Sequence, residues 1–122
     1  MSENLKVLVV DDEEDLAEII CDALDESFNS SFVTCATKAF EMIESGEYDV
    51  IISDSNMPGM SGLELLDKVN SLDRKVLFYL ATGDIAVTDE MIKNRGGHGV
   101  FEKPFSTRVV IGKIMKDFES IH

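Results

Sequence analysis

Two hydrophobic periodicities take turns along the chain, and their alternation restricts the fold more than any other feature. Leu5 to Val10 is a nearly continuous apolar run rich in valine, as expected of a strand buried on both faces. From Asp15 to Phe28 the period changes: Leu16, Ile19, Ile20, Ala23 and Leu24 recur at three- and four-residue spacing, on one stripe of a helix. Phe32 to Ala36 is a second strand candidate, and Thr37 is expected to cap a helix carrying Phe40 and Ile43 that stops near Gly46. Val50 to Ser53 is a third strand ending at Asp54, followed by the turn Met57-Pro58-Gly59-Met60 and a helix from about Ser61 with Leu63, Leu66 and Val69. Val76 to Ala81 is a fourth strand, and Ile85 to Arg95 a less apolar helix closed by Gly96-Gly97. Val100 and Phe101 lie in a short fifth strand, and a last helix from about Ser106 carries Val110, Ile114 and Phe118. Five strands alternating with five helices predict an α/β fold, a doubly wound parallel sheet with helices on two faces. The 122 residues hold no linker, repeat or low-complexity stretch, so residues 1–122 are expected to form one domain.

The charge balance narrows the partners. Eleven basic against 24 acidic side chains leave a net charge of −13, which repels nucleic acid and anionic membrane and makes direct DNA binding an unsuitable task. Such acidity suits a cation or a basic protein surface, and equally a merely solvated exterior. Cys21 and Cys35 lack C-x-x-C spacing and sit in apolar stretches, so both are expected to be small buried hydrophobes in a reducing compartment. The first residues lack the basic start and long apolar run of a signal peptide, and no stretch is long enough to span a bilayer. A cytoplasmic protein is expected, and the start at Met1 with no trailing linker suits a free-standing one, although a piece of a longer regulator would read the same.

In a sheet of this kind the ligand site lies beyond the carboxyl ends of the strands, where strand order reverses. The first strand ends in Asp11-Asp12, the third in Asp54, the fourth in Thr82 and the fifth in Lys103, so these distant residues are predicted to converge. Three carboxylates in one cleft do not stay ionised cheaply, since two unit charges 4 Å apart repel by roughly 4 kcal/mol at an effective dielectric near 20. Either their pKa values rise or a cation sits among them, and hard oxygen donors with room for water suit Mg²⁺. A metal, an ammonium and a hydroxyl around one carboxylate suit phosphoryl transfer, in which catalysis consists mostly of positioning and of neutralising charge on the peripheral oxygens. The carboxylate would then be the nucleophile. Singly, Asp12 or Asp15 would more often cap a helix, Lys103 would be a solvated lysine and Thr82 a turn residue. Their coincidence at one end of four strands favours a site.

Four motifs carry a family resemblance: Val9-Val10-Asp11-Asp12, the loop Asp54-Ser55-Asn56-Met57-Pro58-Gly59-Met60-Ser61-Gly62, Ala81-Thr82-Gly83, and Lys103-Pro104-Phe105. Over essentially its whole length the chain resembles the receiver domains of bacterial response regulators, nearest in layout to the single-domain chemotaxis type. The resemblance implies a flavodoxin-like strand order 2-1-3-4-5 and Asp54 as phosphoacceptor, fed by a histidine kinase or histidine phosphotransfer protein of a two-component or phosphorelay system. It implies Mg²⁺ or Mn²⁺ held by Asp12, Asp54 and the backbone carbonyl of Asn56, with Asp11 acting through water. Lys103 would contact the phosphoryl oxygens, and Thr82 would bond to them after transfer and draw its loop inward. The Lys103-Pro104 bond would be cis, against roughly 5–6% of such bonds in general. Such a domain is no enzyme in the ordinary sense, but assists its own phosphorylation and autodephosphorylation. It works as a monomer or a phosphorylation-linked dimer through the surface of the fourth helix, fifth strand and fifth helix.

Asn56 and Asp84, two residues beyond the acceptor and the threonine, resemble the pair that tunes phosphate lifetime, and suit orientation of an attacking water. Val100 departs from the family, which often has Tyr or Phe three residues before the lysine; Phe101 is adjacent but points to the other face. His98 is expected to be an exposed loop residue. Three rivals are weighed. A receiver-fold scaffold that signals without phosphate usually lacks an acid or the lysine, all present here. A phosphatase working through an aspartyl phosphate would want Asp at position 56, and a flavin-binding relative would find Asp11-Asp12-Glu13-Glu14 repelling its phosphate.

Overall fold

The computed structural model describes residues 5–46 and 48–121. Ten elements alternate: β1 (Lys6–Val10), α1 (Glu14–Leu24), β2 (Asn29–Val33), α2 (Ala36–Glu44), β3 (Val50–Asp54), α3 (Gly62–Asn70), β4 (Leu77–Thr82), α4 (Asp89–Asn94), β5 (Gly99–Glu102) and α5 (Thr107–Ile121). All neighbouring strands pair in parallel, in the order β2-β1-β3-β4-β5. The expected doubly wound sheet and its order are therefore both present.

Alternation along each strand builds two cores, one per face. Val7, Val9, Val50, Ile52, Tyr79, Ala81 and Phe101 meet α1 and α5 through Ala17, Ile20, Leu24, Val110 and Ile114. Leu8, Val10, Ile51, Phe78 and Leu80 meet α2, α3 and α4 through Ala39, Ile43, Leu65, Leu66, Val69 and Ile92. Chain direction across the sheet reverses between β1 and β3, which opens a crevice at their carboxyl ends.

Several local expectations are corrected. β2 begins at Asn29, ahead of Phe32, because Asn29 donates to the Leu5 carbonyl at 2.9 Å and pairs in register with Lys6. The polar Asn29-Ser30-Ser31 segment sits on the sheet edge, where Ser30 donates its hydroxyl to the Cys21 carbonyl at 2.7 Å and its amide to Asp25. α2 is capped at Cys35, with no side-chain cap bond, and Thr37 lies inside its first turn. Cys35 is consequently exposed, and only Cys21 is buried as expected. α4 starts at Asp89, not Ile85: Asp84 accepts the Ala86 amide at 2.9 Å to hold a turn, and Thr88 then caps the Met91 amide at 3.3 Å. His98 is half-buried, its Nδ1 accepting the Phe78 amide at 3.2 Å, and burial holds the imidazole below its ordinary pKa. Among the described residues no helix is long and apolar enough to cross a membrane.

Candidate functional site

At the crevice, β1 delivers Asp11 and Asp12 and β3 delivers Asp54, and one carboxylate oxygen from each lies within 4.8 Å of the others. The three differ in exposure. Asp11 is buried, Asp54 partly buried and Asp12 open to solvent, so the group forms a cup with one wet wall. Asp11 is locked from two sides: its Oδ1 accepts the Glu13 amide at 3.0 Å at the start of α1, and its Oδ2 accepts Lys103 Nζ at 3.1 Å. Neither Asp12 nor Asp15 caps α1: Glu13 occupies the N-cap without a side-chain cap bond, and its amide donates to Asp11.

Lys103, just beyond β5, spans the cup. Its ammonium donates to Asp54 Oδ1 at 3.0 Å as well as to Asp11, and its own backbone amide donates to the Thr82 carbonyl at 2.8 Å, so β4 anchors the base of the side chain. The Lys103-Pro104 bond is cis, as expected. One ammonium serves two carboxylates, and the titration of Asp54 and of Lys103 reflects this. Burial pushes the Asp54 carboxyl above its usual range, and the nearby Asp11 charge adds to the rise against the lowering pull of Lys103. Burial opposes the Lys103 charge, but its bonds to Asp54 and Asp11 hold its pKa above the ordinary lysine value.

Thr82 is buried at the end of β4, and its Oγ1 accepts the Asp84 amide at 3.1 Å. Asp84 is exposed and turned into its own loop by the Ala86 bond, while Asn56 is exposed beyond Asp54. Val100 packs against the core on the α4 side, and Phe101 lies in the opposite core, as alternation predicts. The residues singled out at the four strand tips are thus brought together: Asp11, Asp12, Asp54 and Lys103 in direct reach, with Thr82 joined through the Lys103 backbone.

Two supports had no clear signal in the sequence. Gly62 opens α3 where an added Cβ would lie 2.7 Å from Leu80 Cδ1 and against the Asp54 carbonyl oxygen, so a side-chain-free residue lets this helix start directly beside Asp54. Asp89 Oδ1 accepts the Val100 amide at 2.7 Å, tying α4 to β5. Ser61 and Glu64 were the readable part of the first support, an S-x-x-E capping box with both reciprocal bonds formed.

A doubly wound sheet whose switch point gathers three acids under one lysine places the chain among α/β domains with a binding site at the strand tips. Residues 7–115 match the family described as response regulator receiver domain, and the chain belongs to that family. It is 37% identical to the chemotaxis protein CheY of Pseudomonas aeruginosa, over 97% of this chain and 99% of that protein. It is 30% identical to CheY-3 of Vibrio cholerae, over 99% and 97%. Among solved structures it is similar to the Francisella response regulator 1452 receiver domain, with a TM-score of 0.85, 24% identity and coverage of 98% and 100%. CheY4 of Vibrio cholerae superimposes with a TM-score of 0.81 at 25% identity, over 93% and 98%. This chain is a receiver domain of a two-component system, a signal-transduction module.

Proposed function

We propose that Asp54 accepts a phosphoryl group from a phosphohistidine, with a divalent cation seated beside it. The observation that carries this reading is the placement of one ammonium on both Asp11 and Asp54 in a cup whose third acid, Asp12, is open to water. The donor set fits a hard cation: three carboxylate oxygens, one side wet, and no nitrogen or sulfur ligand in the group. Asp12, Asp54 and the Asn56 carbonyl would hold Mg²⁺ or Mn²⁺, with Asp11 acting through water. When bound, the ion offsets charge on the transferring group and brings the acceptor and the phosphoryl oxygens together.

The remaining work falls to side chains. An ionised Asp54 oxygen attacks phosphorus as the bond to the donor imidazole nitrogen breaks, and that nitrogen keeps the electron pair and takes up a proton. The product is an acyl phosphate. Lys103 follows the new anionic oxygens, and the Thr82 hydroxyl turns to donate to one of them, drawing the 83–88 loop inward. In dephosphorylation a water attacks phosphorus and the Asp54 carboxylate leaves; Asn56, and Asp84 once released from the Ala86 amide, would orient that water and tune its rate. The shift of the Thr82 loop biases α4, β5 and α5, and exposed Ile85 in that loop, Met91 on α4 and Val109 on α5 give a partner something apolar to cover.

The test is direct. With Mg²⁺ and a small-molecule phosphodonor the protein gains one phosphoryl group by mass, while Asp54→Asn gains none and a chelator stops labelling of the parent. Equal labelling of Asp54→Asn overturns the acceptor assignment, and full labelling in chelator overturns the metal.

A further inference from the structure

Tyr79 lies at the centre of β4 and is fully buried. A phenol in such a place needs a partner for its hydroxyl, because an unpaired buried donor is costly. It donates to Asp117 Oδ2 on α5 at 2.6 Å, and Lys113 Nζ donates to that same oxygen at 3.1 Å while standing 5.9 Å from the Tyr79 ring centre. One buried hydroxyl therefore ties the sheet to the last helix, at an ion pair that is itself partly exposed.

In the other direction the Tyr79 ring leads back to the acid cup. It stacks on Phe101 with ring centres 4.9 Å apart, and Phe101 meets Phe105 at 5.9 Å. Phe105 is two residues past Lys103, whose ammonium bridges Asp54 and Asp11. All three rings belong to the α1 and α5 side of the sheet, whereas Val100 packs on the α4 side, the face to which strand alternation also assigns Thr82. Val100 has no ring to carry the Thr82 movement, and the contacting rings of Tyr79, Phe101 and Phe105 lie on the face that Thr82 does not address.

We propose that Tyr79 is a positioning residue that couples the Lys103 loop to α5 through the rings of Phe105 and Phe101, so that the state of Asp54 is reported at Asp117 and Lys113. This inference rests on the phosphoacceptor reading above. When Asp54 becomes an acyl phosphate, Lys103 leaves its carboxylate oxygen to follow the phosphoryl oxygens, and the residues joined to it move. Packed rings do not deform smoothly; a displacement of Phe105 is handed to Phe101 and Tyr79 as a change of seat. The Tyr79–Asp117 bond then lengthens or realigns, and the Lys113–Asp117 pair on α5 changes with it.

The chain has two tyrosines and no tryptophan, so Tyr48→Phe leaves Tyr79 as the sole long-wavelength emitter. A phenol bonded to a carboxylate is quenched. With Mg²⁺ and a small phosphodonor, the emission of the Tyr48→Phe protein is expected to shift in step with the label measured by mass, and to stay flat when Asp54→Asn is added. Tyr79→Phe is expected to label at the parental rate but to lose the phosphorylation-dependent change in amide exchange along α5. Should that variant fail to fold, Asp117→Asn gives the same readout from the helix side. Full labelling with silent Tyr79 emission, or an α5 response undiminished in either variant, overturns the inference alone. No labelling at all overturns the phosphoacceptor reading and the inference with it.

Discussion

At the scale of single residues, the unequal sharing of Lys103 sets the behaviour of the site. The lysine gains from two carboxylates, whereas Asp54 has part of one ammonium and a like charge at Asp11, so burial decides its titration and its pKa is raised. A raised carboxyl pKa means that the folded state holds the proton to higher pH than the unfolded state does. The resulting stability is present below the ordinary carboxylate range and is lost as pH rises through the folded value. In chelator, Asp54→Asn is therefore expected to melt above the parent at pH 7, with the gap closing as pH falls below about 4, near the ordinary aspartate value. Melting curves of both proteins across that range check it, and an Asn variant less stable than the parent at pH 7 would show that Lys103 outweighs burial. The proposed acceptor role and stability are thus opposed in this fold, because burial disfavours the charged form of Asp54 on which that role depends.

At the scale of elements, α3 shows how a local signal and a tertiary constraint combine. Ser61→Ala removes the reciprocal cap and is expected to cost about 1 kcal/mol of stability in denaturant titration, with labelling of Asp54 retained. Gly62→Ala forces a methyl group toward Leu80 and the Asp54 backbone, and is expected to cost about 1–3 kcal/mol and to slow labelling as well. If Gly62→Ala labels at the parental rate, the close approach of α3 does not hold the acceptor in place. The same contrast explains what could be read in advance. β1, β3 and β4 were legible because they are buried on both faces and their apolar runs are unbroken, and the tips that carry Asp11, Asp12, Asp54 and Thr82 followed from their ends. Hydrophobic pattern alone starts β2 too late, because an edge strand tolerates Asn29-Ser30-Ser31 and nothing in those residues shows that Lys6 will pair with Asn29. Helical period alone starts α4 too early, because it does not register the turn that Asp84 holds through the Ala86 amide. The Tyr79–Asp117 bond joins residues 38 apart and leaves no trace in spacing.

At the scale of the whole molecule, a net charge of −13 acts together with the local cup, and the two are separable. Diffuse repulsion among exposed acids is relieved by any salt, since at 0.1 M ionic strength the screening length is about 10 Å. Relief at Asp11, Asp12 and Asp54 needs a cation seated between oxygens that lie within 4.8 Å of one another. An ion that binds only the folded state adds RT ln(1 + [L]/Kd), about 2.7 kcal/mol at a hundredfold excess over Kd. Mg²⁺ is therefore expected to raise the melting temperature by several degrees more than NaCl of matched ionic strength. Asp12→Asn is expected to lose that excess while keeping the common salt response. Equal effects of the two salts on the parent would mean that magnesium acts only as ionic atmosphere, and the cup would lose its standing as a metal site. An excess that survives Asp12→Asn would move the ion elsewhere on this acidic surface, because Asp12 is the solvent-facing acid of the three and the one without a lysine partner among the described contacts.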